Sequence, residues 1–194
     1  MFGTLKKICS LYNKAANMVI FKLKGVACGE NAKINGVLKV HGVRGKIIIG
    51  NNFVCNARIK YNPIGGNSSA SFLVLENGLI NIGNNVGISN TAIASMKNVT
   101  IEDDVMIGGG CKIYDTDFHS IKFEQRMEQP DTHIKSLPVT IKRGAFIGAH
   151  SIILKGVTVG EKSIVGAGSV VTKSIPDGEI WAGNPATFIR RIYE

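Results

Sequence analysis

Several features are scarce in this 194-residue chain. Aromatic residues make up 7% and charged residues 19% of it, and there are five prolines. The low charge content excludes a coiled coil, while a hydrophobic content of 44% excludes a disordered chain. No apolar run approaches the ~20 residues that a membrane-spanning helix requires. The length predicts one domain with a sizeable core.

Signals for export are also missing. The basic start is not followed by the apolar core and cleavage site of a signal peptide. The four cysteines (Cys9, Cys28, Cys55 and Cys111) lie far apart and form no CxxC pair. We therefore expect a cytoplasmic protein with reduced thiols, most of which pack as small apolar groups.

Acidic residues are rare in the first half of the chain. Residues 1–100 contain 12 Lys or Arg against 2 Asp or Glu, whereas residues 101–194 contain 11 against 12. This asymmetry suggests an anionic partner such as nucleic acid, a membrane surface or an acidic glycan, and a merely solvated basic surface remains an alternative. No aromatic interleaving, helix-turn-helix, zinc-finger or RNP pattern is present, so nucleic acid is not expected as a partner.

A six-residue repeat dominates the C-terminal part. Aliphatic residues recur at every sixth position: Ile141, Ile147, Ile153, Val159, Val165 and Val171. A small or β-branched residue stands four positions after each: Ala145, Ser151, Val157, Ser163, Ser169 and Ile175. Neither a helix nor a simple strand has this period. It is typical of a β-helix, in which three hexads close one triangular coil and stacked coils share a core.

The period continues upstream with breaks. Its members are Ile101, Ile107 and Ile113; Ile82, Ile88 and Ala94; Ile49 and Cys55; and Cys28, Ile34 and Val40. Ile88 and Ile101 are 13 residues apart, one more than two hexads, which predicts a bulge near residues 95–98. Residues 62–71 are interpreted as a loop or an irregular coil.

Two segments do not fit the period, and they divide the chain. In residues 1–25, Leu5, Ile8, Leu11 and Tyr12 recur at helical spacing beside lysines, which predicts an amphipathic helix. It either caps the coil, the interpretation we favour, or touches anionic lipid. The β-helix is assigned to residues 26–176, with residues 114–138 extruded as a loop of a length usually found at functional sites. Residues 177–194 form a C-terminal segment.

The motifs together resemble the left-handed β-helix acyltransferases of the hexapeptide-repeat family, in particular the sugar and polysaccharide O-acetyltransferases. The resemblance covers roughly residues 80–192. It rests on YDTDFH (114–119), IGAHSIILKGVTVG (147–160), VGAGSVVTK (165–173) and AGNPA (182–186). It implies an all-β fold, a left-handed parallel β-helix with an N-terminal helix, an extruded loop and a short C-terminal helix or tail.

The resemblance also implies an activity. Acetyl-CoA would be the co-substrate, and the acceptor would be a hydroxyl of a cell-surface saccharide or its precursor, as in lipopolysaccharide or capsule modification. The acceptor could be anionic or lipid-linked. The family is homotrimeric, with active sites between neighbouring coils. A cytoplasmic enzyme is implied, and a weak association with the inner membrane face remains an alternative.

His119 is the candidate catalytic base. Acyl transfer to a hydroxyl needs a group that removes the proton near neutral pH, and histidine is best suited to this. Asp115 and Asp117 are close enough in sequence for one of them to orient the ring. The resemblance places the family's catalytic histidine at this position. A covalent route through Cys111 is the alternative, although its place in a hexad favours a core role.

Further site residues follow from the resemblance. The family's acyl-CoA contacts match Ala149, Ala167, Thr172, Lys173 and Arg190, and the cations suit the phosphates of the coenzyme. Ser89 and Asn90 are candidates for contact with the acceptor. Gamma-class carbonic anhydrases share the fold but need zinc-binding histidines five residues apart, a spacing absent here, so no metal is expected.

Two other functions stay open. One is acetylation of antibiotics such as streptogramins, against which the DTDFH motif argues. The other is a non-catalytic β-helix scaffold, against which the His119 loop and the basic C-terminal residues argue.

Overall fold

The computed structural model describes residues 2–42 and 45–193, and within them short strands wind into six stacked coils. Coils one to three contain β1 (Val26–Cys28), β2 (Lys33–Asn35), β3 (Lys39–His41); β4 (Lys46–Ile49), β5 (Val54–Asn56), β6 (Ser71–Val74); and β7 (Leu79–Ile82), β8 (Gly87–Ser89), β9 (Ala92–Ser95). Coils four to six contain β10 (Asn98–Ile101), β11 (Met106–Gly109), β12 (Lys112–Tyr114); β13 (Val139–Ile141), β14 (Phe146–Ile147), β15 (Ile152–Ile153); and β16 (Thr158–Val159), β17 (Ile164–Val165), β18 (Val170–Val171).

Each strand pairs in parallel with the strand one coil away. The first sheet has the order β1-β4-β7-β10-β13-β16, the second contains β2-β5-β8-β11-β14-β17, and the third contains β3-β6-β9-β12-β15-β18. The three sheets form the walls of a triangular prism. The fold is the predicted left-handed parallel β-helix.

The six-residue repeat forms the core of the last two coils. All six aliphatic residues of the C-terminal series are fully buried, and so are the small residues four positions later. The buried serines donate hydrogen bonds to main-chain carbonyls, for example Ser151 Oγ to Gly166 O at 3.0 Å. A hydroxyl therefore fits at the corner without an unpaired polar atom.

The register of the upstream frame is confirmed with one correction, although Cys28 of the first coil is exposed. Ile93, and not Ala94, pairs with Ile113 and occupies the inward position. The reason is a short corner after β8, which places Ile93 five positions after Ile88, one fewer than a hexad. The extra residues fall in the following corner, between Ser95 and Asn98, where the bulge was predicted.

In the second coil, residues 57–70 form an insertion that contains a 3₁₀ turn at Pro63–Gly65. The insertion begins earlier than the predicted irregular segment 62–71, and Ser71 already belongs to β6.

The predicted N-terminal helix is α1 (Phe2–Lys24), and it packs against all three strands of the first coil. Asn17 is buried beneath it and holds the chain between β2 and β3: its Nδ2 donates to Gly36 O at 2.9 Å, and its Oδ1 accepts from Leu38 N at 3.0 Å. Gly25 follows with φ +64°, a conformation that ends helices easily. In the described part of the chain, no helix has the length and hydrophobicity needed to cross a bilayer.

The C-terminal segment differs from the expected helix or tail. It forms β19 (Glu179–Gly183) and β20 (Ala186–Arg191), an antiparallel pair. β19 pairs with β17 and so extends the second sheet, with Gly166 N donating to Trp181 O at 2.8 Å. The physical reason is the last coil's exposed edge, whose backbone groups need partners that a helix could not supply.

Candidate active site

The extruded loop leaves the prism at the corner between the third and first sheets, after β12, and returns at β13. Its two ends are tied together close to the coil. Thr116 forms an antiparallel bridge with Ser136, Leu137 N donates to Asp115 O at 2.9 Å, and Asp117 N donates to Lys135 O at 3.0 Å. One short helix, α2 (Phe123–Arg126), lies in the middle of the loop. The loop is therefore an ordered projection with a defined base.

His119 lies on this loop, with its side chain 72% exposed to solvent. Its Nδ1 is 3.7 Å from Asp131 Oδ2, which is an ion-pair distance, and the Asp131 side chain is only 10% exposed. Among the described residues, no hydrogen bond involves His119 Nε2. The ring thus faces a carboxylate on one side and solvent on the other.

Asp131 is held rigidly by the residue that follows the histidine. Ser120 N donates to Asp131 Oδ2 at 2.8 Å, and Ser120 Oγ donates a very short hydrogen bond to Oδ1. These hydrogen bonds, first the side-chain one and then the backbone one, hold the pKa of Asp131 below its ordinary value. Asp131 is therefore a fixed anion beside His119.

Sequence reasoning missed Asp131 because it searched only next to the histidine. Asp131 follows His119 by 12 positions, and the returning part of the loop places it beside the ring. No local sequence motif indicates that contact. The available signal was weaker: Asp131 is one of five acidic residues in the out-of-frame segment 114–138.

Asp115 does not orient His119. Its side chain is fully buried and caps the bulge before β10: Oδ1 accepts from Met96 N at 2.7 Å, and Oδ2 accepts from Lys97 N at 2.8 Å and from Ser95 Oγ at 2.9 Å. The extra residues of the bulge leave N–H groups without strand partners, and the carboxylate satisfies them.

Asp117 is also directed away from the histidine. Its Oδ1 is 2.6 Å from Lys155 Nζ in the next coil, and both side chains are 23% exposed. Its Oδ2 is buried, with no hydrogen-bond partner among the described residues. The structure thus makes Asp117 an anchor of the loop on the prism, and Asp131 replaces both predicted carboxylates as the neighbour of His119.

The candidate coenzyme residues lie on the last coils but not on one corner. Ala149 and Ala167 stack at the corner between the second and third sheets, where Gly168 N donates to Ala149 O at 2.8 Å. A Cβ on Gly148 would lie 2.5 Å from Ala167 N, so the close stacking of these turns requires glycine. Thr172 and Lys173 are exposed at the corner after β18. Arg190 is exposed on β20, with its Nη1 donating to Arg191 O at 3.1 Å.

The candidate acceptor residues are less accessible than expected. Ser89 and Asn90 are both buried, at the corner between the second and third sheets. Asn90 Nδ2 donates to Asn62 O at 2.9 Å in the insertion, and its Oδ1 has no partner among the described residues. Ser89 accepts from Asn56 Nδ2 at 3.2 Å and borders a groove of about 460 Å³. The insertion at 57–70 covers Asn90 and leaves Ser89 at the edge of that groove.

Cys111 is unsuited to covalent catalysis. Its side chain is buried and its Sγ lies 3.2 Å from Gly148 O. Burial raises the pKa of the thiol to about 11. Because the thiolate is the nucleophile, a buried thiol that stays protonated at neutral pH is unreactive.

Comparisons with known proteins agree with the fold and the repeat. A family model described as the hexapeptide repeat of succinyl-transferase matches residues 138–173. The galactoside O-acetyltransferase of Escherichia coli is 39% identical over 114 residues, which are 58% of this chain and 54% of that protein. A putative lipopolysaccharide biosynthesis O-acetyl transferase, WbbJ of E. coli, is 29% identical over 153 residues, 76% of this chain and 72% of that protein.

A solved structure shows the same architecture. A galactoside acetyltransferase in complex with coenzyme A superposes with a TM-score of 0.58 and 26% identity, covering 90% of this chain and 68% of that one. The chain spans about half the length of the first curated relatives that it matches.

The fold and the repeat thus define a hexapeptide-repeat β-helix protein with an extruded loop at one corner. Residues 138–173 match the hexapeptide-repeat model, and the chain is similar to galactoside and lipopolysaccharide O-acetyltransferases over part of its length.

Proposed function

We propose that this chain is an acetyl-CoA-dependent O-acetyltransferase that modifies a hydroxyl of a cell-surface saccharide or its precursor, with His119 as the general base. One observation carries the proposal: an exposed imidazole on an ordered, extruded loop lies 3.7 Å from an anchored carboxylate, Asp131. The names of the homologues support the substrate class, since both E. coli relatives are described as O-acetyl transferases.

The base acts through the solvent-facing nitrogen. A proton on Nδ1 is favoured by the neighbouring Asp131 carboxylate, so Nε2 carries the lone pair that accepts a proton. The acceptor hydroxyl loses its proton to Nε2 while its oxygen attacks the thioester carbonyl carbon. A C–O bond forms, the C–S bond breaks, and the proton goes to the departing CoA thiolate. Asp131 stabilises the imidazolium that exists between these transfers.

The donor is proposed to bind on the last two coils. The exposed cations Lys173 and Arg190 suit the coenzyme phosphates, and the stacked small residues Ala149 and Ala167 leave room along the corner for the pantetheine arm. Thr172 lies next to Lys173 and completes the proposed set. Ser89, at the edge of its groove, remains the better-placed acceptor residue of the predicted pair, because Asn90 is covered by the insertion.

A homotrimer is part of the proposal. On one chain His119 is mostly exposed to water, whereas acyl transfer from a thioester benefits from a site that excludes water. A neighbouring prism packed against the loop would provide the second wall of the site.

The experiment is the release of free CoA thiol from acetyl-CoA across a panel of saccharide acceptors. We expect His119→Asn to lower kcat by about two to four orders of magnitude while the fold is unchanged. His133→Asn is the matched control, because His133 lies on the same loop and also faces a carboxylate, with its Nε2 3.6 Å from Glu128 Oε2. The control should retain turnover.

The outcomes of this assay distinguish the three candidate functions. Thiol release with saccharides that depends on His119 supports the proposal. Turnover with streptogramin-type antibiotics in place of saccharides would assign the chain to antibiotic acetylation. Acetyl-CoA that is neither bound nor cleaved with any acceptor would assign it to the non-catalytic scaffolds, and normal turnover by His119→Asn would overturn the base assignment.

A further inference from the structure

The helix α1 has its apolar and polar faces arranged opposite to those of an ordinary surface helix. Six of its large apolar residues face solvent, each between 57% and 78% exposed: Ile8, Leu11, Tyr12, Met18, Val19 and Leu23. Members of the set lie three, four or seven positions apart, as in 8/11, 19/23 and 12/19, so they share one side of the helix. We call this set the outer face of α1. A helix that only caps the coil would turn these side chains inward.

The side that faces the prism is more polar. Asn13 Nδ2 donates to the Tyr61 hydroxyl at 2.9 Å, and Asn17 makes the two main-chain hydrogen bonds between β2 and β3. Ile20 and Phe21 add a partly buried apolar contact with the core. Directional hydrogen bonds thus fix the orientation of the helix, and the outer face cannot turn inward without breaking them.

The charges around the outer face are of one sign. Residues 2–24 contain five lysines (6, 7, 14, 22 and 24) and no Asp or Glu. The nearby coils add exposed basic side chains, namely Lys33, Lys39, Lys46, Arg58 and Lys60. Glu30 is the sole acidic residue in the first 75 positions of the sequence. The end of the prism that carries α1 is therefore strongly cationic.

We propose that the outer face of α1 docks on the surface of an anionic phospholipid bilayer. An apolar side flanked by lysines is the pattern of a helix that lies in the membrane interface, with its apolar residues at the acyl boundary and its cations among the headgroups. A second copy of this chain fits less well, because apposing two outer faces would bring two clusters of lysines together. The proposal does not depend on acetyl transfer.

The test is co-sedimentation of the full chain with vesicles of phosphatidylcholine, with or without one third phosphatidylglycerol. We expect binding to the mixed vesicles, little binding to phosphatidylcholine alone, and weaker binding at high salt. Leu11→Asp should lower partitioning by about tenfold or more, because a charge would enter the apolar boundary. Ile189→Asp is the matched control: Ile189 is also an exposed aliphatic residue but lies on β20, at the other end of the prism.

The electrostatic contribution to vesicle binding is tested separately. Replacing both Lys22 and Lys24 by Gln should weaken binding to the mixed vesicles by about 25-fold, at about fivefold per lysine. The same change at Lys97 and Lys112, exposed lysines of the fourth coil, should have little effect. Circular dichroism of each variant checks that the helix is retained.

Three results would overturn the proposal. The first is equal binding of the wild type to both kinds of vesicle, or binding to neither. The second is unchanged vesicle binding by Leu11→Asp. The third is a fall in the native mass of Leu11→Asp in the absence of lipid, which would identify a second copy of the chain as the partner that covers the outer face.

Discussion

His119 and His133 lie on one loop and each faces a carboxylate, yet the two carboxylates are held differently. Asp131 is mostly buried and receives two hydrogen bonds from Ser120, whereas Glu128 is 52% exposed and lies on the loop surface. A carboxylate can orient a ring only if its own position is restricted. This difference makes Asp131 a candidate positioning residue and leaves Glu128 without such a role.

Asp131→Asn is expected to lower kcat by about one to two orders of magnitude with little change in either KM, because the amide cannot stabilise the imidazolium. Steady-state kinetics with acetyl-CoA and the best acceptor measures this. Asp131→Glu should recover part of the loss, and Glu128→Gln should behave as the wild type. A change confined to KM would contradict a role in positioning the base.

The ionisation of Asp131 also has a pH consequence. Its pKa lies below the ordinary value, so the carboxylate is charged at neutral pH. The stability that it contributes to the loop is present above the unfolded-state pKa and is lost as the pH falls through the lower folded-state pKa. The loop should therefore keep its structure through mildly acidic conditions.

Lys173 provides a test of the donor end. Lys173→Glu should raise the apparent KM for acetyl-CoA and leave that for the acceptor nearly unchanged, because a negative charge would repel the coenzyme phosphates. The effect should shrink at high salt, which screens exposed charges over ~3 Å at 1 M. A rise in the acceptor KM instead would place an anionic glycan at these basic residues.

At the scale of the element, the extruded loop depends on a contact with the next coil. The ion pair between Asp117 and Lys155 is 2.6 Å long and mostly shielded from water, and the second oxygen of Asp117 has no hydrogen-bond partner in the described part of the chain. Such a pair contributes more than a surface ion pair does, mainly because breaking it leaves a poorly solvated carboxylate.

Lys155→Met should therefore destabilise the base of the loop by about 1–2 kcal/mol, a value between those for surface and buried pairs. Hydrogen exchange of the amides in residues 115–138 measures it, and exchange should accelerate there more than in the coils. Lys142→Met is the control, since the Lys142–Asp177 pair is exposed and 3.1 Å long. Equal exchange rates in the Lys155 variant and the wild type would show that the loop does not rely on this pair.

At the scale of the whole molecule, the proposed trimer predicts complementation. Chains with His119→Ala should be nearly inactive, and chains with Lys173→Glu should turn over slowly at acetyl-CoA concentrations below their raised KM. Under those conditions a refolded mixture should recover activity if one site takes its base and its donor cation from different protomers. Sedimentation of the wild type should give three times the chain mass. A fully active monomer would contradict both the trimer and the shared site.

The fold could be predicted largely from the sequence, because a β-helix is defined by local periodicity. Each hexad places one aliphatic residue inward and a small one near a corner, and the six residues of the C-terminal series are buried as the period requires. The prediction was less accurate where the spacing between successive inward residues differs from six. The short corner before Ile93 and the insertion at 57–70 alter the register by amounts that the period does not encode.

The candidate site was only partly predictable, for a physical reason. The sequence by itself determined the coil, the extruded loop and His119, since each shows in spacing or as a break in spacing. Only the tertiary structure decided which carboxylate meets the histidine: Asp115 is drawn into the bulge by unpaired N–H groups, Asp117 is drawn to Lys155, and the loop's return brings Asp131 to the ring. Such contacts depend on which donors the folded chain leaves unsatisfied, and that balance exists only in three dimensions.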